Sequence, residues 1–120
     1  MATIELTTDN FKQLIDANGT IIVDFWAPWC GPCRSFAPTF EAASEEHADI
    51  VFAKVNTEVQ QELAGSFNIR SIPTLMVFRD QIIVYSEAGA LPAKALAALI
   101  GQVQELDMDK VRADIAAQAN

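Results

Sequence analysis

The sequence predicts an α/β fold in three layers, and three observations carry that expectation. Thr20-Ile21-Ile22-Val23-Asp24-Phe25-Trp26 is a β-branched, nearly continuous apolar run, the mark of a central strand covered on both faces. Such runs alternate along the chain with stretches whose apolar residues recur at helical spacing. Late in the chain two strand-like segments are separated only by Asp80-Gln81, which reads as a hairpin. Alternating β and α units closed by a hairpin place helices on both faces of one sheet.

Taken in order, a short strand over Thr3 to Leu6 precedes a helix from about Asp9 to Ala17, closed by Asn18-Gly19. The central strand follows, and after the turn at Ala27-Pro28-Trp29 comes a helix from Cys30 or Cys33 to His47, with Pro38 expected to kink it. A strand from Ile50 to Val55, a short helix from about Val59 to Ser66, and two strands at Leu75 to Arg79 and Ile82 to Ser86 complete the sheet. Pro92 opens a further helix in which Leu96, Leu99, Ile100 and Val103 form a core-facing stripe. Beyond Glu105 another amphipathic stretch carries Leu106, Met108, Val111 and Ile115 on one side, with Asp107 or Asp109 as its N-cap. The expected division is a domain over residues 1–105 and a C-terminal helical extension over 106–120, packed on that domain.

With 120 residues, 51% of them apolar, the chain has room for one core and no second domain. A net charge of -8 and a pI near 4.4 argue against a phosphate-neutralising surface and against attraction to anionic lipid, so neither nucleic acid nor a membrane is an expected partner. Met1-Ala2-Thr3-Ile4-Glu5-Leu6 lacks the basic start and apolar run of an export signal, which points to the cytoplasm. Two cysteines are too few for a disulfide scaffold, and a reducing compartment would not sustain one; their use is chemical.

Those cysteines stand three apart where the central strand hands over to a helix. At that spacing they can close a disulfide with little backbone movement. The free N–H groups and partial positive charge of the helix N-terminus favour a thiolate at the first, so Cys30 is the nucleophile. Cys33, one turn further in, is expected to be the more buried and to attack only after Cys30 has joined a substrate as a mixed disulfide. Gly31-Pro32 between them adds no charge that would stabilise the reduced thiolate, so reduction of substrates is the favoured direction. A zinc site needs more donors than the pair supplies, and His47 is the sole further imidazole; about four turns along the helix, it reads as a solvated helix-end residue.

The segment Trp26-Ala27-Pro28-Trp29-Cys30-Gly31-Pro32-Cys33, with Val23-Asp24-Phe25 before it, Pro38 in the helix, Ile72-Pro73-Thr74 downstream and Gly89 after the last strand, closely resembles thioredoxin. The resemblance extends to about Glu105. It implies a thioredoxin fold with a central mixed sheet, and a protein-disulfide oxidoreductase that serves electron transport and redox homeostasis. It implies no bound cofactor, electrons from NADPH through thioredoxin reductase, and disulfide-containing proteins as substrates of a monomer. Arg34 and Ser35 after Cys33 differ little from the usual basic and apolar pair.

Residue by residue, Asp24 interrupts an apolar run; burial would raise its pKa, and the resemblance makes it the proton acceptor and donor for Cys33. The matching lysine, Lys54 in Val51-Phe52-Ala53-Lys54-Val55, is placed near that acid to tune its proton affinity. The Ile72–Pro73 peptide is expected to be cis and to face the disulfide, leaving the Ile72 backbone free to pair with an extended substrate. Trp29, Gly31, Pro32, Ile72, Pro73, Gly89 and Ala90 would surround Cys30 with a flat apolar surface for partner proteins. Trp26 is assigned to packing. Two other readings compete: a binding module with incidental cysteines, against which Cys30, Cys33, Asp24 and Pro73 stand together, and an exported oxidant, which would carry other residues between the cysteines.

Overall fold

The computed structural model describes residues 2–119. Ten elements follow in chain order: β1 (Thr3–Glu5), α1 (Phe11–Ala17), β2 (Thr20–Trp26), α2 (Gly31–Glu46), β3 (Val51–Asn56), α3 (Gln61–Ser66), β4 (Thr74–Arg79), β5 (Ile82–Ala88), α4 (Ala93–Gln104) and α5 (Met108–Gln118). The strands form one mixed sheet in the order β1-β3-β2-β4-β5. β1 and β2 run parallel to β3, while β4 is antiparallel to both β2 and β5. The apolar run therefore occupies the middle of the sheet, as its composition required.

Because side chains alternate along a strand, β2 feeds two cores. Ile21, Val23 and Phe25 pack with Ile15 of α1 and Leu63 of α3 on one face. Ile22 packs on the other face with Phe36 and Phe40 of α2 and with Leu96, Ile100 and Val103 of α4. Asp24 falls on this second face, in register with Lys54 of β3 and Leu75 of β4. The β4–β5 turn uses positive φ at both Asp80 (51°) and Gln81 (69°), the twist that suits a two-residue hairpin.

Some boundaries moved for identifiable reasons. α1 starts at Phe11 instead of Asp9 because Thr7 and Asn10 bond each other: the Thr7 N–H donates to Asn10 Oδ1 (2.7 Å) and the Asn10 N–H to Thr7 Oγ1 (3.3 Å). α3 starts at Gln61 instead of Val59 because Asn56 holds residues 57–60 in a turn, its Oδ1 accepting from the Glu58 N–H and its carbonyl from Val59 and Gln60. Pro38 lies within α2 without ending it. His47 is a half-buried C-cap, not a solvated residue, and stacks on Phe52 with ring centroids 6.5 Å apart.

Of the C-terminal stripe, Met108 is buried, Leu106 and Val111 are half-buried, and Ile115 is 47% exposed. The first turn of α5 is what docks. Asp107 caps it, accepting from the Lys110 N–H at 3.2 Å. Arg79 fastens the corner before it, donating to the carbonyls of Val103 (2.5 Å), Gln104 (3.3 Å) and Leu106 (3.0 Å), which α4 would otherwise leave unpaired at its end. Arg112 bridges back to Asp80 in the hairpin turn.

Candidate active site

The site is assembled where β2 ends. Its last residues deliver Trp26 and Ala27, and a tight turn follows, with the Cys30 N–H donating to the Ala27 carbonyl at 3.2 Å. Cys30 is the N-cap of α2: its Sγ accepts from the Cys33 N–H at 3.2 Å, taking the place of a capping oxygen. Pro32 occupies the first helical turn, where its missing N–H has no intrahelical partner to lose. Arg34 clasps the turn from the other side, donating from Nη1 to the Pro28 carbonyl at 2.9 Å.

Cys30 and Cys33 are joined in a disulfide with Cα atoms 5.2 Å apart. The expected contrast in exposure is small in this closed form: Cys30 is 5% exposed and Cys33 2%. Position distinguishes them better than burial does. The Cys30 sulfur lies at the helix opening, 3.8 Å from the Ile72 carbonyl oxygen. Cys33 sits inside the first turn of α2, in a small apolar cluster with Ala27, Trp26 and Ile72.

The loop opposite the disulfide is set by the Ile72–Pro73 peptide, which is cis. It is tied to the end of β5 by the Gly89 N–H, which donates to the Pro73 carbonyl at 2.8 Å. Gly89 reaches that carbonyl with φ at 109°, a conformation that side-chain-bearing residues rarely adopt. Ile72 is half-buried and Pro73 buried, whereas Gly89 and Ala90 are exposed; Gly31 is half-buried and Pro32 exposed.

Trp29 is 66% exposed, and its Nε1 donates to Glu58 Oε1. Val59, next to Glu58, is 67% exposed, so the apolar rim extends onto the β3–α3 turn. Sequence reasoning missed Glu58 and Val59. The one available signal was Asn56, whose turn-forming habit fixes that loop.

Asp24 is wholly buried, and neither carboxylate oxygen has a hydrogen-bond partner. Burial pushes its pKa up from 3.8 to about 7, with the Lys54 charge acting in the opposite direction. Lys54 is half-buried and makes no ion pair with Asp24; its Nζ lies 4.7 Å from the centroid of the Trp26 ring. Asp24, Lys54 and Trp26 share the face of the sheet that α2 covers. Among the described residues no three His, Cys, Asp or Glu side chains gather in a way that could hold a metal.

Comparison with known proteins agrees with this arrangement. A family model described as thioredoxin matches residues 2–102. A Streptomyces coelicolor chain assigned as a second thioredoxin is 52% identical over 117 residues, covering 98% of this chain and 87% of the relative. The thioredoxin of Alicyclobacillus acidocaldarius is 43% identical, covering 85% of this chain and 98% of the relative. Among solved structures, Plasmodium falciparum thioredoxin superposes with a TM-score of 0.76 at 36% identity, over 82% of this chain and 96% of that one. A single-residue mutant of a Halobacterium salinarum thioredoxin gives 0.81 at 30% identity, over 88% and 93%. With a disulfide-closed cysteine pair at a helix opening, and with relatives of this closeness, the chain belongs to the thioredoxin family and is a thiol–disulfide oxidoreductase.

Proposed function

We propose that this protein works as a reductase of protein disulfides, with Cys30 as attacking nucleophile and Cys33 as resolving thiol. The observation that carries the reading is the N-cap position of the Cys30 sulfur, where the Cys33 N–H and the helix end favour negative charge on it. In the reduced form the Cys30 thiolate attacks one sulfur of a substrate disulfide. The other substrate sulfur leaves as a thiolate and takes up a proton, and a mixed disulfide remains. Cys33 then gives up its proton, attacks the Cys30 sulfur and expels the second substrate thiol. Two electrons pass to the substrate, and the Cys30–Cys33 disulfide stores the oxidised state.

Asp24 is the natural acceptor for the Cys33 proton: a carboxyl near pKa 7 can both take and return a proton at neutral pH. Lys54 adjusts how readily it does so. Trp29, Gly31, Pro32, Ile72, Pro73, Gly89 and Ala90 form the surface on which an extended substrate segment would lie, with the Ile72 backbone as its pairing edge. Recharging requires a two-electron donor, which the family resemblance supplies as NADPH through thioredoxin reductase. No helix is long and apolar enough to cross a membrane, and the acidic balance suits a cytoplasmic monomer. Residues 1–105 form the catalytic domain and 106–120 an extension packed on it.

Insulin reduction driven by dithiothreitol tests the activity, and equilibration with glutathione tests its direction. The protein is expected to accelerate insulin reduction, and its disulfide to remain largely oxidised in a glutathione buffer that reduces oxidising members of the fold. A pair reduced as readily as a strong oxidant's would reverse the assigned direction.

A further inference from the structure

One observation is left unused by the chemistry above: the Lys54 ammonium lies over the face of Trp26 and not against Asp24, although Asp24 and Lys54 are direct neighbours in the β2–β3 register. An ammonium within about 6 Å of an indole centroid is attracted by the ring's negative face. A buried carboxyl group without any hydrogen-bond donor would attract the same ammonium strongly if it could be reached. The side chain thus has two destinations on one face of the sheet, and the ring holds it at one of them.

Space for both positions exists. A cavity of about 290 Å³ beside Lys54 is lined by Trp26 and by Thr3, Ile4 and Glu5 of β1. The groups that face this region come from three elements. Glu5 stands opposite Lys54 in the β1–β3 register; Glu41 of α2 accepts from Thr3 Oγ1 at 2.6 Å while its second oxygen is buried without a partner; Cys33 of α2 is closed in the disulfide. Lys54 pairs with neither glutamate, so the indole face is its one attractive contact among the described residues.

We propose that Trp26 is a positioning residue whose ring face holds the Lys54 ammonium away from Asp24, and so keeps on the buried carboxyl the proton that the exchange reaction draws on. Without the ring, Lys54 swings toward Asp24 and stabilises the carboxylate. The acid then holds its proton more weakly and returns it less readily at neutral pH. This rests on the reading of Asp24 as the proton exchanger, and it turns Trp26 from core filler into a regulator of that acid.

The test is a double-mutant cycle on the oxidised protein, read as the NMR titration midpoint of the Asp24 carboxyl carbon in the parent, Trp26→Leu, Lys54→Met and the double variant. Lys54→Met in the parent is expected to raise the midpoint modestly. In the Trp26→Leu background it is expected to raise it by about one further unit, a tenfold larger effect on proton affinity. Equal effects of Lys54→Met in both backgrounds would overturn the proposal, since they would mean that Trp26 acts on Asp24 only by excluding water. Should Trp26→Leu fail to fold, biosynthetic 5-fluorotryptophan keeps the ring's shape and weakens its face; it is expected to lower the midpoint when Lys54 is present and to leave it unchanged in Lys54→Met. A midpoint that ignores the fluorine in both proteins would likewise reject the idea. The measurement involves no turnover, so it can fail while Asp24 keeps its kinetic role, and a failed Asp24→Asn kinetic test would leave it interpretable.

Discussion

The two faces of the sheet are built from alternate residues of the same strands and do different work. One face is apolar throughout: Ile21, Val23, Phe25, Ala53, Val55 and Phe78 close against α1 and α3. The other carries Asp24 and Lys54 and, at the strand end, Arg79, among residues just as apolar. The contrast teaches that the charges on the second face are not tolerated accidents of packing. Arg79 has three carbonyl partners, whereas Asp24 has none, and the unpartnered group is the one beside the reactive pair.

Adjacent residues of β2 give the sharpest way to break that comparison. Phe25→Ala is expected to cost about 4 kcal/mol in urea unfolding, because it empties a fully buried aromatic site in the apolar face. Asp24→Leu should do the reverse and stabilise the protein at pH 8, on the order of 4 kcal/mol, since each unit of pKa elevation corresponds to about 1.4 kcal/mol. The pH dependence follows from the direction of the shift. The folded value near 7 lies above the ordinary 3.8, so the protonated carboxyl favours the folded state. That contribution is fully present below about pH 4, falls as pH rises toward 7 and is gone above it. The gain from Asp24→Leu should therefore shrink as pH is lowered through the same window. A gain independent of pH would mean that Asp24 is not titrating in its buried setting.

Arg79 sharpens the same contrast with a smaller effect. Arg79→Met leaves three carbonyls at the end of α4 without their donor and should cost about 2 kcal/mol, seen as a lowered urea midpoint with unchanged slope. The smallest effect is expected at Arg112, whose bridge to Asp80 is about half exposed; Arg112→Ala should leave the midpoint where it is. A large loss there would show α5 to be more firmly integrated than its exposed far end indicates.

Much of this was legible in the chain. The apolar run of β2 announced a central strand, and a carboxylate inside it could be singled out because its burial needs a reason. The cysteine pair at a strand–helix junction carried its chemistry with it, whereas the cis Ile72–Pro73 bond came from resemblance alone, because nothing local in Ile-Pro-Thr specifies the isomer. What could not be read were contacts between residues far apart in sequence. Trp29 and Glu58 meet across 29 positions, Arg79 reaches the end of α4, and His47 finds Phe52 through the fold. The helical spacing of Leu106, Met108, Val111 and Ile115 was real, but spacing shows only which residues share a side of a helix. Whether a neighbouring surface continues under that side depends on tertiary structure, and here it ends after the first turn.

The division of labour between the two sulfurs is tested most directly by trapping. Each single variant, Cys30→Ser and Cys33→Ser, is reduced, mixed with a protein disulfide, quenched with acid and weighed by mass spectrometry. Cys33→Ser is expected to accumulate a covalent adduct through Cys30, while Cys30→Ser stays free of adduct on the same timescale. Adducts forming equally fast on both variants would contradict the assignment of Cys30 as the sulfur that attacks.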